Sequence, residues 1–460
     1  MRLATQLINP FFFWISWIII PLIMEVIPAI GGFFVLLKGL IRRKKIPVPD
    51  KYPEITLIIP VYNSQDSLEN CIRSVNDSDY PNRCINIFLV NNQGKDDSFE
   101  VYTKCQTEYS DLRMQWLNAM QGKSRALNLA IYNSEGKYII HIDSDGILEP
   151  TALSRMVRRF EADTSVNCMT GTILTIPEQI EAYRTWKSRL LRKLEFTEYA
   201  QAFLAGRNYA SEFNAIYTLS GAFSGFRKSA LRGSWLYNTD TICEDTEITF
   251  QMKYIQHRVV KIWEDAIFFV GPIENMDKLY TQRQRWQRGS LEVARMFPQS
   301  RLQPFRMFRD TNVKTLMYDH TFAFPRIIWY LALIYLMFIG YSGKVVLVST
   351  GLIMLFYVFC GYLYFLISQK LLDDFPKTRK YYLRQWWVIA FLPFFNLMVF
   401  FIRFAGIINS IHTNSAWKTS TLSEENAAFR STVSKDTGRI IRVVRKFRNM
   451  VNEPEGEEAY

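Results

Sequence analysis

The chain has 460 residues, of which 49% are hydrophobic and 15% aromatic, and it carries a formal net charge of +12. This length exceeds one compact unit and predicts more than one domain. A basic chain could bind nucleic acid, but no recognised nucleic-acid-binding module accompanies the charge, so we expect no nucleic-acid partner. The basic residues instead cluster beside apolar segments, as is typical of the cytoplasmic loops of membrane proteins.

Four apolar segments are candidates to cross a hydrocarbon layer, which takes about 20 residues. They are 11–41, 324–340, 345–367 and 386–408. The first is long enough for a tilted or kinked pass, or for an interfacial piece followed by a pass. Its predicted interruptions are Pro21, Glu25, Pro28 and the pair Gly31-Gly32. The basic cluster that follows it, together with the basic residues between the later segments, places those loops in the cytoplasm.

The six cysteines have neither paired spacing nor a C-x-x-C motif. They are Cys71, Cys84, Cys105, Cys168, Cys243 and Cys360. We therefore expect reduced, mostly buried thiols in a cytosolic domain, and no zinc site.

From residue 55 the chain alternates short apolar strands with helix-like stretches. The predicted strands are 55–63, 85–92, 114–119 and 138–143, and the predicted helices are 66–76, 97–107 and 123–133. This order predicts an α/β fold with a mostly parallel sheet and right-handed crossovers. Ligands of such sheets bind at the carboxyl ends of the strands. The chain has no G-x-G-x-x-G motif there, which argues against a dinucleotide site.

The fourth predicted strand ends in two carboxylates, Asp143 and Asp145. Side chains alternate along a strand, so both carboxylates are expected on one side. Hard oxygen ligands in this place suit a Mg²⁺ or Mn²⁺ that also holds a diphosphate. An isolated Asp-x-Asp has a plainer explanation as turn chemistry or a helix cap, so the interpretation depends on the motifs around it.

Several motifs together resemble the family 2 glycosyltransferases with the GT-A fold, which transfer sugars from nucleotide donors with inversion. They are IIPVYN at 58–63, GKSRALN at 122–128, DSD at 143–145, ED at 244–245 and QRQRW at 282–286. The last motif resembles the membrane-embedded synthases of cellulose, chitin, hyaluronan and poly-N-acetylglucosamine. Length and layout also resemble a Gram-positive glycosyltransferase group associated with an exosortase-type system.

The resemblance implies specific roles for the carboxylates and the arginine. It implies Asp145 as the metal ligand, with Asp143 in the metal shell and near the donor ribose. Asp245 matches the general base, although aspartate is also a common helix N-cap. Arg285 matches the diphosphate clamp.

The two remaining residues of the QRQRW motif are Gln282, as a neutral partner of the diphosphate clamp, and Trp286, which would stack on the acceptor sugar. The alternative for the motif is an amphipathic interfacial helix with basic residues toward lipid headgroups.

Further candidate substrate-binding residues are Pro60, Tyr62, Asn63, Asn92, Lys123, Gly221 and Glu244. Lys123 could contact the diphosphate or be a solvated lysine at a helix start. Gly221 lies in the stretch 220–227, which resembles an acceptor-side turn or forms an ordinary strand with bulges. Asn92 stands where the family usually has an aspartate for uracil, and Asp96 or Asp97 could substitute.

These observations predict five regions: a transmembrane segment with a basic flank at 1–45, a cytoplasmic catalytic domain at 46–275, interfacial helices at 276–310, transmembrane helices at 320–411 and a basic amphipathic tail at 412–460. If all three later apolar segments cross, the tail ends outside, whereas its basic residues favour the cytoplasm. Either the last segment does not fully span or the N-terminal segment is a special case.

The predicted function is an inverting transfer of a sugar, from a nucleotide-sugar that is UDP-linked, to a growing extracellular or capsular polysaccharide. The alternatives are a single addition to a lipid-phosphate carrier, and an inactive carbohydrate-binding scaffold in the membrane. We expect a multi-pass protein of the cell membrane. Its expected partners are a saccharide or lipid-linked acceptor, the lipid bilayer, and either a second copy of the chain or an export protein.

Overall fold

The computed structural model describes residues 26–42, 46–297 and 343–412, with residue 22 and parts of 331–340 and 421–427. The beginning of the first apolar segment, most of the second, the interfacial run 298–310 and most of the predicted tail lie outside the described residues.

The described residues form one eight-stranded sheet surrounded by helices. The strands are β1 (Ile55–Val61), β2 (Ile85–Asn91), β3 (Arg113–Asn118), β4 (Tyr138–Ile142), β5 (Ile147–Leu148), β6 (Val166–Thr175), β7 (Phe223–Arg227) and β8 (Val259–Val270).

The helices lie on both sides of the sheet and beyond it. They are α1 (Ile27–Arg42), α2 (Leu68–Asn76), α3 (Ser98–Glu108), α4 (Lys123–Asn133), α5 (Ala152–Ala162), α6 (Pro177–Glu181), α7 (Trp186–Ala200), α8 (Asn208–Glu212), α9 (Lys228–Arg232), α10 (Glu244–Phe250), α11 (Met276–Met296), α12 (Gly343–Leu371), α13 (Pro376–Leu383) and α14 (Leu392–His412). Short π-helical turns continue α7 at Gln201–Arg207 and α10 at Gln251–Ile255. Short 3-10 helices lie at Asn82–Cys84 and Trp386–Phe391.

The sheet has the order β3-β2-β1-β4-β7-β6-β8-β5. The first four strands along the chain are parallel to one another, which confirms the predicted alternation of strands and helices. All five residues of β4 are buried, as expected for a central strand covered on both faces. The carboxyl ends of β1, β2 and β4 therefore meet at one edge of the sheet.

Strand β7 enters the sheet antiparallel to both of its neighbours, β4 and β6. Its amino end therefore lies beside the carboxyl end of β4. The backbone N–H of Asp143 donates to the carbonyl of Ala222 at 3.1 Å, so the loop before β7 reaches the DSD turn. Strand β7 thereby brings a distant part of the sequence to the edge where ligands are expected to bind.

The glycine pair expected to interrupt the first apolar segment lies inside α1, so that prediction is wrong for Gly31-Gly32. Gly32 allows close packing instead: a Cβ there would stand 3.1 Å from the hydroxyl of Tyr364 on α12. Pro28 is compatible with the helix because it lies in the first turn, where a missing N–H breaks no hydrogen bond.

Two described segments have the length and the apolar composition needed to cross a membrane. They are Val346–Leu371 and Trp386–Asn409. The carboxyl end of α12 packs on the domain that contains the sheet through Phe365 and Leu371, which join a buried cluster with Phe196 of α7. All six cysteines are free thiols, and five of them are buried.

Candidate functional site

Lys123 occupies the centre of the candidate site. It is the first residue of α4, and its side chain is only 18% exposed. The ammonium forms an ion pair with Asp143, donates to the carbonyl of Gly221 at 3.0 Å and lies 4.0 Å from Glu244 Oε1. Burial opposes the charge, but the neighbouring carboxylates outweigh it and raise the pKa of Lys123. The interpretation as a solvated lysine is therefore wrong.

The DSD turn differs from the extended geometry expected from the sequence. Strand β4 ends at Ile142, and residues 143–146 form a turn. The buried Ser144 faces inward, where its hydroxyl lies 2.7 Å from that of Ser64. Asp143 and Asp145 are thus brought near each other by the turn, rather than by the period of the strand.

Asp145 lies at the protein surface, in contrast to the partly buried Asp143. Protein atoms around its carboxylate raise the pKa of Asp145, the negative charge of Asp143 raises it further, and Lys123 lowers it in part. The site therefore has an excess of negative charge at Asp145, which a cation would relieve.

Glu244 and Asp245 begin α10. The N-cap position is taken by Cys243, so the N-cap explanation of Asp245 is wrong. Asp245 Oδ1 accepts from the N–H of Thr246 at 2.7 Å, and the helix amino terminus favours the negative charge. Burial nevertheless raises the pKa of Asp245, and it raises the pKa of Glu244 to about 7.

Gly221 lies in the loop before β7, between the lysine and the candidate base. A Cβ at this position would stand 3.4 Å from Asp245 Oδ2 and 3.6 Å from Lys123 Nζ. The glycine therefore keeps the space between these two groups open. The following strand residues 223–227 are regular, which confirms a strand there, while the loop residue Gly221 faces the site.

The carboxyl end of β1 supplies Pro60, Tyr62 and Asn63. Pro60 is half-buried within the strand, whereas Tyr62 and Asn63 are exposed just beyond it. Asn63 has a positive φ of 49°, and its Oδ1 accepts from the N–H of Lys95 at 2.9 Å. This contact joins the loops that follow β1 and β2 beside the DSD turn.

Asn92 follows β2 and is buried. Its Oδ1 accepts from the N–H of Gly122 at 2.6 Å, and it thereby holds the turn that presents Lys123. Asp96 is engaged elsewhere: its carboxylate accepts from the N–H of Gln65 at 2.8 Å and from the hydroxyl of Ser98 at 2.7 Å. Asp97 is exposed at the N-cap of α3.

Helix α11 carries the QRQRW motif and lies beside α10. A Cβ at Gly289 would stand 2.1 Å from Cys243 Sγ, so the two helices are in close contact. Burial raises the pKa of Cys243, the residue before Glu244 and Asp245, and the positive charge of Arg285 lowers that pKa in part. The buried Gln282 Oε1 has no hydrogen-bond partner among the described residues.

Trp286 is half-buried and packs on the main hydrophobic core. A neighbour on the same helix, Arg283, lies with its guanidinium 4.7 Å from the centre of the indole. Arg283 also donates to both carboxylate oxygens of Glu198 on α7, at 3.0 and 2.5 Å. Sequence reasoning did not single out Arg283 or Glu198, because neither the family motif nor the pattern of α7 marks them.

Two further groups near the site were missed from the sequence. Arg207, at the end of the π-helical turn after α7, lowers the pKa of Asp245 by its charge. His141 is buried in β4, with Nδ1 3.4 Å from the hydroxyl of Tyr237. Burial and the charge of Lys123 lower the pKa of His141 to about 4, so the imidazole is neutral at physiological pH. No local motif distinguishes either residue.

Asp143 and Asp145 could hold a divalent metal if a bound diphosphate and water supplied its other ligands. Within the described residues, no group of three or more His, Cys, Asp or Glu side chains could hold a metal. Magnesium sites on nucleotides use one or two carboxylates and take their remaining ligands from phosphates and water. Asp145, with Asp143 beside it, supplies that number of carboxylates and the uncompensated negative charge.

The fold is shared with a solved glycosyltransferase. The mannosyltransferase PcManGT from Pyrobaculum calidifontis, in complex with GDP-Man and Mn2+, superposes with a TM-score of 0.54 at 16% identity, covering 77% of this chain and 99% of that one. This likeness shows a GT-A-like fold, as predicted.

Residues 56–235 match the model of glycosyl transferase family 2. Curated relatives include the poly-beta-1,6-N-acetyl-D-glucosamine synthase of Staphylococcus epidermidis, 26% identical over 288 residues, or 62% of this chain and 65% of the relative. The synthase of Staphylococcus aureus (strain MSSA476) is 26% identical over 277 residues, or 59% of this chain and 64% of the relative. The match thus covers slightly less than two thirds of the length of these relatives.

Proposed function

We propose that the chain transfers a hexosyl group, with inversion, from a UDP-linked sugar to a growing extracellular or capsular polysaccharide. The observation that carries the proposal is the arrangement around Lys123. One ammonium contacts Asp143 and Gly221 and lies beside Glu244, with Asp245 at the next position of α10. Helix α11, which carries the QRQRW motif, lies close to the residue before Glu244, since a Cβ at Gly289 would stand 2.1 Å from Cys243 Sγ.

In the proposed reaction the acceptor hydroxyl oxygen attacks the anomeric carbon, and the bond from that carbon to the diphosphate breaks. The proton of the hydroxyl passes to Asp245 Oδ2, and the nucleoside diphosphate leaves with the electron pair. Oδ1 is already bound by the N–H of Thr246, so Oδ2 is the oxygen turned toward the open space at Gly221. A positioned carboxylate is sufficient for such a proton transfer.

Positive charge beside the leaving group is assigned to Lys123 and Arg285, because ammonium and guanidinium groups form strong hydrogen bonds to phosphate oxygens. Gln282 offers a buried oxygen that lacks a partner among the described residues. Asp145, with Asp143, would hold the divalent ion, which when bound neutralises charge on the diphosphate. The Mn2+ bound in the mannosyltransferase complex supports this choice of ion.

Trp286 is proposed to stack on the terminal sugar of the acceptor, since an indole offers an apolar face for a sugar ring. The assignment of a polymer product is supported by the curated relatives, which are named poly-beta-1,6-N-acetyl-D-glucosamine synthases. The two apolar segments support a membrane location with the catalytic domain in the cytoplasm.

Membranes that contain the protein, incubated with a panel of radiolabelled nucleotide-sugars, test this proposal. We expect release of nucleoside diphosphate with one donor, together with a labelled product of high molecular weight. A single labelled sugar on a lipid would overturn the polymer assignment. Asp245→Asn should abolish turnover and keep nucleotide binding, and full cellular activity of that variant would instead identify a binding scaffold.

A further inference from the structure

Helix α14 is apolar and long enough to cross a membrane, yet its two flanks contact the same globular domain. We propose that residues 386–412 lie on the cytoplasmic surface of an anionic lipid bilayer and do not cross it. The inference concerns the placement of the helix and holds whichever sugar is transferred.

The chain just before α14 is fixed to the catalytic domain. Arg155 of α5 forms an ion pair with Asp374 at 3.1 Å, and its guanidinium lies 4.7 Å from the ring centre of Phe375. Tyr382 of α13 is fully buried, and its ring packs against Phe196 of α7 at 5.8 Å. The amino end of the apolar segment therefore begins on the domain surface.

The chain just after α14 returns to that surface. The backbone N–H and the hydroxyl of Ser423 donate to the two oxygens of Asp277, at 3.0 and 2.8 Å. Glu425 accepts from Asn409 at 3.0 Å and from the hydroxyl of Tyr280. Asp277 and Tyr280 are both on α11, which belongs to the candidate site.

Between its ends, α14 packs along α11. Phe395, Val399 and Ile402 share a buried cluster with Leu279, and a Cβ at Gly406 would stand 3.3 Å from the Cα of Gln284. Helix α11 itself lies across the domain, because Leu279 near one end and Val293 near the other are both fully buried.

The length of α14 makes these contacts incompatible with a crossing. A helix of 21 residues is about 31 Å long, about the thickness of the hydrocarbon layer. If α14 crossed, one end would lie about 30 Å from the side that carries the domain, beyond reach of its side chains. The segments that flank α14 make hydrogen bonds or ion pairs to that domain, Leu392 at its amino end is buried in the cluster with Leu279, and Asn409 near its carboxyl end donates to Gln284, so both ends lie on one side.

The face of α14 that the protein leaves uncovered fits a lipid surface. Phe394, Phe401 and Ile408 are exposed and recur every seven residues, which places them on one stripe. Trp386 and Trp387 precede the helix, as aromatic residues do at membrane interfaces. The exposed basic residues of α13, and the one that directly follows it, match anionic headgroups. They are Lys377, Arg379, Lys380 and Arg384.

Helix α12 provides the contrast within the same chain. Its carboxyl end packs on the domain, while Leu347, Val348 and Leu355 in its amino-terminal half are 74%, 59% and 66% exposed. The carboxyl end of α12 is therefore attached to the domain, and its amino-terminal half has one buried face, which includes Ser349 and Ile353, and one exposed apolar face that could contact lipid. Because α12 ends on the domain side and α14 does not leave that side, residues 421–425 remain beside the domain.

Cysteine labelling of the full chain tests the sidedness. In a Cys84→Ala background, which removes the one thiol that is not buried, the exposed positions would be changed singly as Glu135→Cys, Lys380→Cys and Glu424→Cys. We expect a membrane-impermeant maleimide to label all three from the same side of the membrane. Labelling of Glu424→Cys from the side opposite to Lys380→Cys would overturn the proposal.

Spin-label depth gives an independent measurement on the helix itself. Labels at Phe394→Cys and Phe401→Cys, about 10 Å apart along α14, should report similar shallow depths by oxygen and nickel accessibility. Labels at Leu347→Cys and Leu355→Cys on α12 serve as the matched pair and should differ by about 12 Å in depth. A depth difference of about 10 Å between the α14 labels would mean that the helix crosses.

Discussion

The ammonium of Lys123 and the carboxylate of Asp143 form an ion pair that joins the start of α4 to the end of β4. Replacement of Lys123 by Met keeps the length of the side chain and removes the charge that Asp143 and Glu244 require. Breaking a largely buried pair costs about 3 kcal/mol, so we expect that loss in the free energy of unfolding, together with loss of turnover. Denaturation of the purified protein and a donor-turnover assay measure both, with the exposed Lys95→Met as control.

The raised pKa of Glu244 predicts a pH effect on donor use. As pH rises through about 7, Glu244 ionises in the folded protein and places a negative charge beside Lys123 and the donor diphosphate. We expect kcat/KM for the donor to fall through that range, because this ratio reports groups of the free enzyme. Glu244→Gln should abolish the fall, whereas the exposed Glu135→Gln should retain it. A profile of Glu244→Gln that still declines near pH 7 would assign the effect to another group.

Asp145 is expected to carry the metal affinity. Loss of a carboxylate ligand costs several kcal/mol, so Asp145→Asn should weaken Mn²⁺ binding in the presence of nucleoside diphosphate by about 100-fold. Electron paramagnetic resonance of free and bound Mn²⁺ measures this without any turnover. Asp66→Asn, at an exposed position after β1, is the matched control. Unchanged Mn²⁺ binding in Asp145→Asn would exclude this residue as the ligand.

The Arg283–Glu198 pair is expected to position Trp286 rather than to contact substrate. Glu198→Gln replaces the charged acceptor, and the guanidinium under the indole loses its fixed orientation. We expect kcat for transfer to the acceptor to fall about 10-fold, or about 1.4 kcal/mol, while donor KM changes little. Glu69→Gln, which breaks the exposed pair with Arg73, should have no measurable effect. Equal losses in donor binding and transfer would indicate general destabilisation instead.

Gly289 sets the distance between α11 and α10. Gly289→Ala would place a Cβ 2.1 Å from Cys243 Sγ, and overpacking of this kind costs about 2 kcal/mol. We expect lower thermal stability and lower turnover, with partial recovery when Cys243→Ala removes the sulfur. Gly31→Ala is the control, because a Cβ there meets nothing within 4 Å. Normal stability of Gly289→Ala would show that α11 can shift freely.

Sequence periodicity predicts the first half of the catalytic domain well. The boundaries of α4 agree with the prediction, and β1 to β4 differ from it by two residues or fewer. These elements are consecutive and parallel, so a local pattern of apolar residues is sufficient to recognise them. The same pattern cannot identify the partners of β7, because the strand pairs with β4 and β6 across long stretches of sequence.

In the candidate site, too, the residues in local motifs can be recognised from the sequence, whereas contacts between distant residues cannot. The carboxylates and the arginine are recognisable because they occur in family motifs. Lys123 remained ambiguous in the sequence, since only the approach of Asp143 and Gly221 distinguishes a buried lysine from a solvated one. Glu198 belongs to no motif, and its pairing with Arg283 depends on the packing of α7 against α11.

Helix α11 separates Glu244 and Asp245 from α14 by the thickness of one helix, about 10 Å. Gly289 faces Cys243, and the backbone at Gln284 lies against Gly406. In the proposed arrangement the outer face of α14 rests on headgroups, and changes in lateral pressure or in the anionic lipid fraction would reach the candidate site through α14 and α11. Extraction into a detergent micelle is then a perturbation of catalysis in its own right, and turnover should be compared in bilayers of defined composition.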